Sequence, residues 1–568
     1  MERQFLVIAA VALAIMIAAS VFSRRTNIAT PLLLVGLGVG ASYVPGTPVI
    51  HLEPELILAG VLPPLLYASA VQLPIHDLRR NLMLISWLSI GIVIISAVLI
   101  GLVVHLVFPS IPFALGVALG AVVSPTDAVA ATAIGHRVGL PPRLMSVLEG
   151  ESLVNDASAL VVLRTAVAGL AATSAFSFGH TALDFGWAVV GALGIGIVVG
   201  YLSVLLRERL DDPVLNTTIS FAVPFLAYFP AEEVHASGVL AVVAAGLVSG
   251  ALGSKRLSAR DRQMQSTNWT TINFILESAV FLLMGYQLAD VVSTAREEVS
   301  TSELVELVAI VVTMLVLLRM LGLAWPALTA RFTPGNRHAE IRARFAAFES
   351  HLESLEPADT REHHRLEWAR RRLARGRADM DFEQREPLTA RSYLVLGWAG
   401  MRGVVTVAAA QTIPVGVPHR ATVVVAAFFV ALITLIVFGL TLPALIRKLD
   451  LPTASIQEKR DSFEALLRSI GAQAIDELGP LEDQRIDGDP IDPAVVTAMR
   501  DRVMPRLASG IHLGEGGRRD QLVVLQQRYL DAMRDALMSE RSIGAYSSET
   551  FRQVERTLDA MDQRPQIS

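Results

Sequence analysis

The sequence predicts an all-α polytopic membrane protein with about 13 transmembrane helices and a helical cytoplasmic tail. Of its 568 residues, 52% are hydrophobic and 18% are charged. The mean hydropathy is +0.50. The apolar residues also fall in runs of about 20, which is the length that crosses a bilayer. Lipid, rather than a water-soluble core, is therefore expected to cover most of the apolar surface.

Composition excludes several classes of function. A net charge of −5 provides no basic field for nucleic acid, so no nucleic-acid partner is expected. The absence of cysteine excludes disulfides, thiolate catalysis and cysteine-ligated metals. The 12 histidines show no metal-ligand spacing, and no cofactor is predicted.

Thirteen apolar runs are interpreted in order as transmembrane helices. They cover residues 5–22, 28–43, 56–73, 82–107, 113–134, 144–170, 185–206, 214–229, 236–252, 269–291, 307–328, 393–413 and 421–445. A signal peptide is an alternative for the first run, because Arg3 precedes it and Ala18, Ala19 and Ser20 are small. The topology favours keeping this run as a span.

Charge in the short loops sets the predicted orientation. With the N-terminus outside, the short cytoplasmic loops hold twelve arginine or lysine residues and the external loops hold two. Positive residues resist translocation, so the prediction is an N-terminus outside a cell membrane and a C-terminus in the cytoplasm.

Two domains follow from this topology. Residues 1–450 form the membrane domain, which includes a charge-dense cytoplasmic loop at 331–391 that has the pattern of a helical hairpin. Residues 451–568 form a helical tail, interpreted as a small or dimerising domain. A pH or ligand sensor is the alternative, and the loop histidines would then titrate. These are His338, His351, His363 and His364.

The fifth span contains a predicted helix break. Its sequence is FALGVALGAVVSPTDAVAATAI, in which Pro125 precedes Thr126 and Asp127. Proline removes a backbone donor and clashes with the preceding turn. Asp127 is expected to cap the second half-helix, and the free carbonyls at the break are expected to face an ion.

The twelfth span is interrupted in the same way. Its sequence is YLVLGWAGMRGVVTVAAAQTI, with Gly397, Gly400 and Gly403 around Arg402. Interrupted segments in both halves of a chain are typical of transporters built from two inverted repeats with crossed unwound helices.

The sixth span carries EGESLVNDASALV, and its polar residues share one face or two adjoining faces. Asp156 is the predicted ion carrier, because a partly desolvated carboxylate allows a proton and a small cation to compete for one charge. Ser152 and the carbonyl of Thr126 would complete a sodium site with Asp156. Asn155 is a neutral hydrogen-bonding neighbour.

Other buried charges have structural interpretations. Glu151 and Arg402 each need an opposite charge, which predicts a structural salt bridge between the sixth and twelfth spans. Glu149 would line a cytoplasmic funnel. Glu277 and Arg319 are interpreted as a structural pair or as funnel residues, with substrate contact as the alternative.

These motifs resemble a known family. The segments SPTDAVAA, EGESLVNDASALV and GWAGMRGVVTVAAA, with LPPLLYASAVQLP in the third span, resemble the monovalent cation:proton antiporter family of the NhaP/NHE sodium/proton exchanger type. The resemblance covers residues 5–448. The 61-residue loop is longer than expected for the family, and the tail matches no motif.

The resemblance implies a transporter that exchanges Na⁺, or Li⁺ or K⁺, for H⁺. It places the family's Asn-Asp pair on Asn155 and Asp156, and the aspartate of the unwound helix on Asp127. It also implies a homodimer, elevator-like motion of a core domain, and the electroneutral exchange that accompanies the Asn-Asp form.

Three alternatives stay open at this point. One is an antiporter of the same kind that prefers K⁺. A membrane receptor would not need four ionisable residues within the bilayer. An intramembrane enzyme is disfavoured because the sequence contains no HExxH motif and no cysteine nucleophile.

Overall fold

The computed structural model describes most of the chain. The described residues are 2–26, 30–44, 56–127, 131–132, 134–135, 138–171, 178–210, 212–332, 335–355, 360–414, 416–451, 456–479, 484–486, 489–491, 493–498 and 518–562. They are almost entirely helical, which confirms the predicted all-α class. They divide into two compact units, here called the membrane unit (Met1–Arg331 and Leu388–Leu451) and the second unit (Phe332–Pro387 and Pro452–Ser568).

The membrane unit is a bundle of helices that follow the predicted spans. In chain order they are α1 (Glu2–Thr26), α2 (Thr30–Ser42), α3 (Leu62–Gln72, after a π-helical turn at Leu56–Val61), α4 (Ile75–Arg80), α5 (Leu82–Ser86), α6 (Ile92–Val107, after a π-helical turn at Trp87–Gly91), α7 (Phe113–Val123), α8 (Pro142–Ala171), α9 (Phe178–Arg207), α10 (Pro213–Glu233), α11 (Gly238–Arg256), α12 (Ala259–Glu298), α13 (Thr301–Phe332), α16 (Ala390–Trp398), α17 (Val404–Gln411) and α18 (Arg420–Leu449).

Each predicted span contains helix, although not every one is a long apolar helix. Among the described residues, eight helices are long and apolar enough to cross a membrane, and four apolar helices are shorter. The exact number of thirteen stays a prediction. The twelfth predicted span consists of two short helices, α16 and α17, separated at residues 399–403.

Small residues allow α9 and α11 to pack closely. A Cβ atom at Gly200 would lie 2.7 Å from the carbonyl oxygen of Ala245, and one at Gly196 would overlap the carbonyl of Ala241. Small residues four apart let helix backbones approach, which is a main source of helix association in lipid. The contact fixes these two helices against each other without large side chains.

The membrane unit contains the two helix breaks that the sequence predicts. The helix α7 ends at Val123, and residues 124–127 continue in non-helical backbone. The helix α16 ends at Trp398, and α17 begins at Val404. Each break therefore lies within an apolar segment and leaves backbone groups without partners in their own helix.

The second unit combines the long loop with the tail. Its helices and strands are α14 (Gly335–Glu353), α15 (Thr360–Arg385), α19 (Ile456–Leu478), β1 (Arg485–Ile486), β2 (Asp489–Pro490), α20 (Pro493–Ala498), α21 (Arg518–Ile543) and α22 (Ser548–Asp562). The loop forms the predicted hairpin of α14 and α15, and α15 packs against α21 of the tail. The sequence-based division had counted the loop with the membrane domain, because hydropathy carries no information on contacts between distant polar helices.

The core of the tail lies between α19, α21 and α22. Its buried side chains include Leu466, Ile470, Leu530 and Val554. The two strands form a short antiparallel pair in which Ile486 lies opposite Asp489.

Candidate ion-binding site

The two helix breaks meet inside the membrane unit. The backbone N–H of Asp127 donates a hydrogen bond of 2.7 Å to the carbonyl oxygen of Met401. The side chain of Asp127 also lies against Gly403, where an added Cβ atom would be 2.6 Å from the carboxyl carbon of Asp127. At Asp127, a backbone hydrogen bond and a close contact thus join the first break to the second.

Arg402 binds carbonyls at the end of α7. Its Nε atom donates to the carbonyl oxygen of Val123 at 2.8 Å, and its guanidinium also donates to the carbonyls of Ser124 and Gly400. A cation at the C-terminal end of a helix offsets the negative end of the helix dipole and satisfies free carbonyls. Arg402 is therefore a structural residue of the crossing.

Arg319 binds carbonyls at the end of α16 in the same way. Its guanidinium donates to the carbonyl oxygen of Leu396 at 2.9 Å and to that of Gly397 at 3.2 Å. It also binds Glu151 through two parallel hydrogen bonds of 2.6 and 3.1 Å. This arginine, which lies on α13, connects α16 to α8.

The predicted salt bridge between Glu151 and Arg402 is wrong, because Glu151 has a different partner. Among the described residues, the carboxylate of Glu151 forms its ion pair with Arg319, and the hydrogen bonds of Arg402 go to backbone carbonyls. Both arginines are buried, with 4% and 3% of their surface exposed. The interpretation of Arg319 as a partner of Glu277 is wrong for the same reason.

A hydrogen-bond network connects the first break to α8. The Thr126 hydroxyl donates to Glu151 at 3.0 Å, and the Asn155 amide donates to that hydroxyl at 2.9 Å. The same amide lies 3.4 Å from the Thr126 carbonyl oxygen. These bonds fix the orientation of Thr126, whose carbonyl was predicted to face the ion.

Asn155 leaves one polar atom unused. Its side-chain oxygen is buried and has no hydrogen-bond donor within the described part of the chain. A buried acceptor of this kind is costly unless a cation, a water molecule or a donor reaches it.

Asp156 is the buried carboxylate next to this network. Only 8% of its surface is exposed, and within the described ranges it has no hydrogen-bond or ion-pair partner. The charge of Asp127 lies close enough to interact with it electrostatically. A buried charge without a fixed partner is expensive, which is typical of a residue that binds a mobile ion or a proton.

The other predicted residues lie on α8 and α12. Ser152 lies on α8 one turn before Asp156 and is half-buried, and Glu149 lies on the same helix. Glu277 is half-buried on α12, and its charge interacts with that of Asp127.

Two serines of the site were missed by sequence reasoning. The Ser89 hydroxyl donates to the carbonyl oxygen of Glu151 at 3.0 Å, and Ser158 donates both to the carbonyl of Ser89 and to that of Asn155. Ser158 lies one turn after Asn155 on the polar face of α8, so the helical period could have assigned it to the site. Ser89 is distant in sequence, and no sequence pattern connects it to the site.

The type of ligand atom limits what the site can hold. Among the described residues, no group of three or more His, Asp or Glu side chains is placed as a metal centre would need. A cation at Asp156 would therefore depend on carbonyl, amide and hydroxyl oxygens as well as carboxylate. Hard oxygen ligands of this kind suit an alkali cation.

Comparison with known proteins agrees with the geometry. A family profile described as "Sodium/hydrogen exchanger, transmembrane" matches residues 8–448. The chain is 29% identical over 483 residues to a sodium, potassium, lithium and rubidium/H⁺ antiporter of Bacillus pumilus, a match that covers 81% of this chain and 65% of that protein. It is 29% identical to the Na⁺/H⁺ antiporter ApNhaP of Aphanothece halophytica over 79% of this chain and 75% of that one.

A solved structure has a similar fold. The sodium proton antiporter MjNhaP1 from Methanocaldococcus jannaschii superposes with a TM-score of 0.55 at 17% identity, over 79% of this chain and 99% of that chain. The profile match covers most of the membrane unit and includes both helix breaks and the polar face of α8. The chain therefore belongs to the sodium/hydrogen exchanger family, whose members are transporters rather than enzymes.

Proposed function

We propose that this protein is a secondary active transporter that exchanges Na⁺, or Li⁺ or K⁺, for H⁺ by alternating access, with the cation and the proton competing for Asp156. The observation that carries the proposal is a buried carboxylate without a fixed partner, next to the crossing of two broken helices. Family membership supports the reaction type, and the relatives that match are named for the same exchange.

The proposed cation site contains Asp156, Ser152 and the Thr126 carbonyl, with Asn155 and Asp127 beside it. The hydrogen bonds from Asn155 to Thr126 support this assignment, because they fix the backbone of the first break next to α8. The unused oxygen of Asn155 adds a further hard ligand atom.

The exchange is proposed to be electroneutral. Asn155 is neutral and Glu151 is paired with Arg319, so Asp156 is the carboxylate of the segment 151–156 that remains to bind either one monovalent cation or one proton. The net charge carried through the membrane in each cycle is then zero. Transport driven by an imposed membrane potential, at equal ion and proton gradients, would rule this out.

We also propose a homodimer in the cell membrane, with the N-terminus outside and the second unit in the cytoplasm. The excess of arginine and lysine in alternate short loops supports the orientation. Labelling of single introduced cysteines from one side of the membrane tests it, and the chain has no native cysteine to interfere.

The test of the exchange uses proteoliposomes that hold a proton gradient and a pH-sensitive dye. Addition of Na⁺, Li⁺ or K⁺ in turn is expected to collapse the gradient with the wild-type chain, and the assay ranks the three ions. Asp156→Asn is expected to abolish the response, because a neutral amide cannot exchange a cation for a proton.

Asp212→Asn is the matched control. Asp212 caps the N-terminus of α10 through a bond of 2.7 Å to Val214, and asparagine is an equally good cap. Near wild-type exchange by folded Asp156→Asn protein would overturn the proposal. If the wild-type protein responds to none of the three ions, the proposed choice of substrates is wrong.

A further inference from the structure

The helix α15 carries an exposed row of arginines around a tryptophan. Trp368 is 62% exposed, and Arg365, Arg371 and Arg372 are exposed as well. We call these four residues the Trp–Arg face. At 100° per residue, positions 365, 368 and 372 fall within 60° of one another, so they lie along one side of the helix.

Other positions on α15 are packed within the protein. Arg377 forms an ion pair of 2.5 Å with Glu349 of α14, and Gly376 lies against the ring of Phe345. Leu373 is buried. The Trp–Arg face is therefore a surface that packing within the hairpin leaves open.

The N-terminal two thirds of this helix carry an excess of positive charge. Between residues 361 and 377 there are seven arginines and two glutamates. The guanidinium of Arg372 lies over the Trp368 ring, 5.2 Å from its centroid. This stacking holds the exposed indole ring of Trp368 beside a positive charge. Exposing the apolar ring to water is unfavourable, and a helix surrounded only by water gains nothing from it.

The covalent chain keeps this helix near a membrane. Only residues 386–389 separate α15 from α16 of the membrane unit, and only residues 333–334 separate α13 from α14. Both ends of the hairpin are thus joined by short segments to helices of the membrane unit. Tryptophan and arginine are the residues that prefer the headgroup region, where the ring is partly buried and the charge meets phosphate.

We propose that the Trp–Arg face binds the headgroups of anionic lipids, with Trp368 inserted at the headgroup level and the three arginines paired with lipid phosphates. Charge complementarity selects anionic over zwitterionic lipid. This inference does not depend on the transported ion.

The test uses the full-length chain with one introduced cysteine. Ala369→Cys follows Trp368 in sequence and is half-buried on α15, and Ser350→Cys on α14 is the control label position, exposed on the other helix of the hairpin. Each is labelled with an environment-sensitive fluorophore and reconstituted in phosphatidylcholine alone or with phosphatidylglycerol. Quenching by lipids spin-labelled near the headgroup reports the depth of the label.

With phosphatidylglycerol, the label at 369 is expected to be quenched and blue-shifted, and the label at 350 is expected to stay in water. Each basic residue at an anionic surface strengthens binding roughly fivefold, so Arg365→Gln with Arg371→Gln and Arg372→Gln should lower the docked-to-undocked ratio about a hundredfold. The corresponding triple lysine variant keeps the charge and should keep most of the docking. Added salt should weaken docking.

Two outcomes would overturn the proposal. A label at 369 that stays in water with either lipid means that the face does not meet the membrane. A label at 369 that is protected equally in both lipids and in the triple glutamine variant means that another part of the protein covers the face. Neither result bears on the proposed exchange, which the proton-gradient assay measures separately.

Discussion

Gly403 shows how a single missing side chain allows the two helix breaks to cross. The carboxyl group of Asp127 occupies the space that any larger residue would need. The hydrogen bond from the Asp127 backbone to Met401 then holds both segments at that distance. The position of the aspartate is thus set by a glycine on the other half of the chain.

Gly403→Ala is expected to reduce exchange strongly, by roughly a hundredfold, because displacement of the crossing by about 1 Å misplaces the groups that are proposed to bind the ion. The measurement is the rate of gradient collapse in proteoliposomes. Gly194→Ala serves as the control, since Gly194 is exposed within α9 and a Cβ there meets nothing within 4 Å. Equal rates for the two variants would contradict the role given to Gly403.

Individual residues differ in how far sequence predicts them. Pro125 and the spacing of glycines predict both breaks, because their effects on the backbone are local. Asp156 is predictable from the cost of a buried charge. The partner of Glu151 is not predictable from sequence, because Arg319 and Arg402 both lie in apolar spans. Which of them pairs with Glu151 depends on how α13 is rotated against α8.

At the scale of helices, Arg319 is the residue that fastens α13, α8 and α16 together. It forms an ion pair with Glu151 and also donates a hydrogen bond to a carbonyl at the C-terminal end of α16. Loss of one member of a buried pair leaves an uncompensated charge, whereas loss of both costs much less.

Arg319→Met is therefore expected to lower the free energy of unfolding by about 3–5 kcal/mol, and the double variant with Glu151→Leu is expected to recover part of that loss. Thermal unfolding of the detergent-solubilised protein provides the measurement. A second cycle with Glu151→Leu and Arg402→Met is the comparison. Stronger coupling in the second cycle than in the first would favour the pairing predicted from sequence and refute the one described here.

The contact between α19 and α21 has its own dependence on pH. The Tyr529 hydroxyl donates to the carbonyl oxygen of Gly471 at 2.9 Å, and burial raises the pKa of Tyr529 to about 12. The unfolded chain loses this proton near pH 10, so between about pH 10 and pH 12 it binds fewer protons than the folded chain. The stability that Tyr529 contributes is complete below pH 10 and is lost as the pH rises through that window.

Tyr529→Phe is expected to remove this part of the alkaline loss of stability while lowering stability at neutral pH by about 1 kcal/mol for the lost hydrogen bond. The difference in unfolding temperature between the two full-length proteins, measured from pH 9 to pH 11.5, isolates this residue from the other titrating groups. Parallel pH curves for the two proteins would show that Tyr529 does not ionise on unfolding in this range.

At the scale of the whole molecule, the long loop and the tail form one unit. The amphipathic pattern predicts helices in both. The division based on hydropathy places the loop in the membrane domain, whereas the structure groups it with the tail. Their association was not predictable, because α15 and α21 lie far apart in sequence and neither carries a motif that identifies its partner.

Truncation at Pro452 tests this association. Without α21 to pack against, α15 is expected to open more often, and trypsin should cut among Arg370, Arg371 and Arg372 roughly tenfold faster, the effect of losing about 1.4 kcal/mol of local stability. The rate of cleavage at these sites in the intact protein is the reference. Unchanged cleavage would mean that the hairpin is stable without the tail.

The two arginines at the broken helices also bear on selectivity. A bare helix C-terminus presents several carbonyl oxygens, which is an attractive place for a small cation to stop. Arg402 and Arg319 already donate hydrogen bonds to those oxygens at the ends of α7 and α16. These helix ends are therefore closed to a passing cation. Under the proposed exchange, Asp156 is then the group at which a cation and a proton compete.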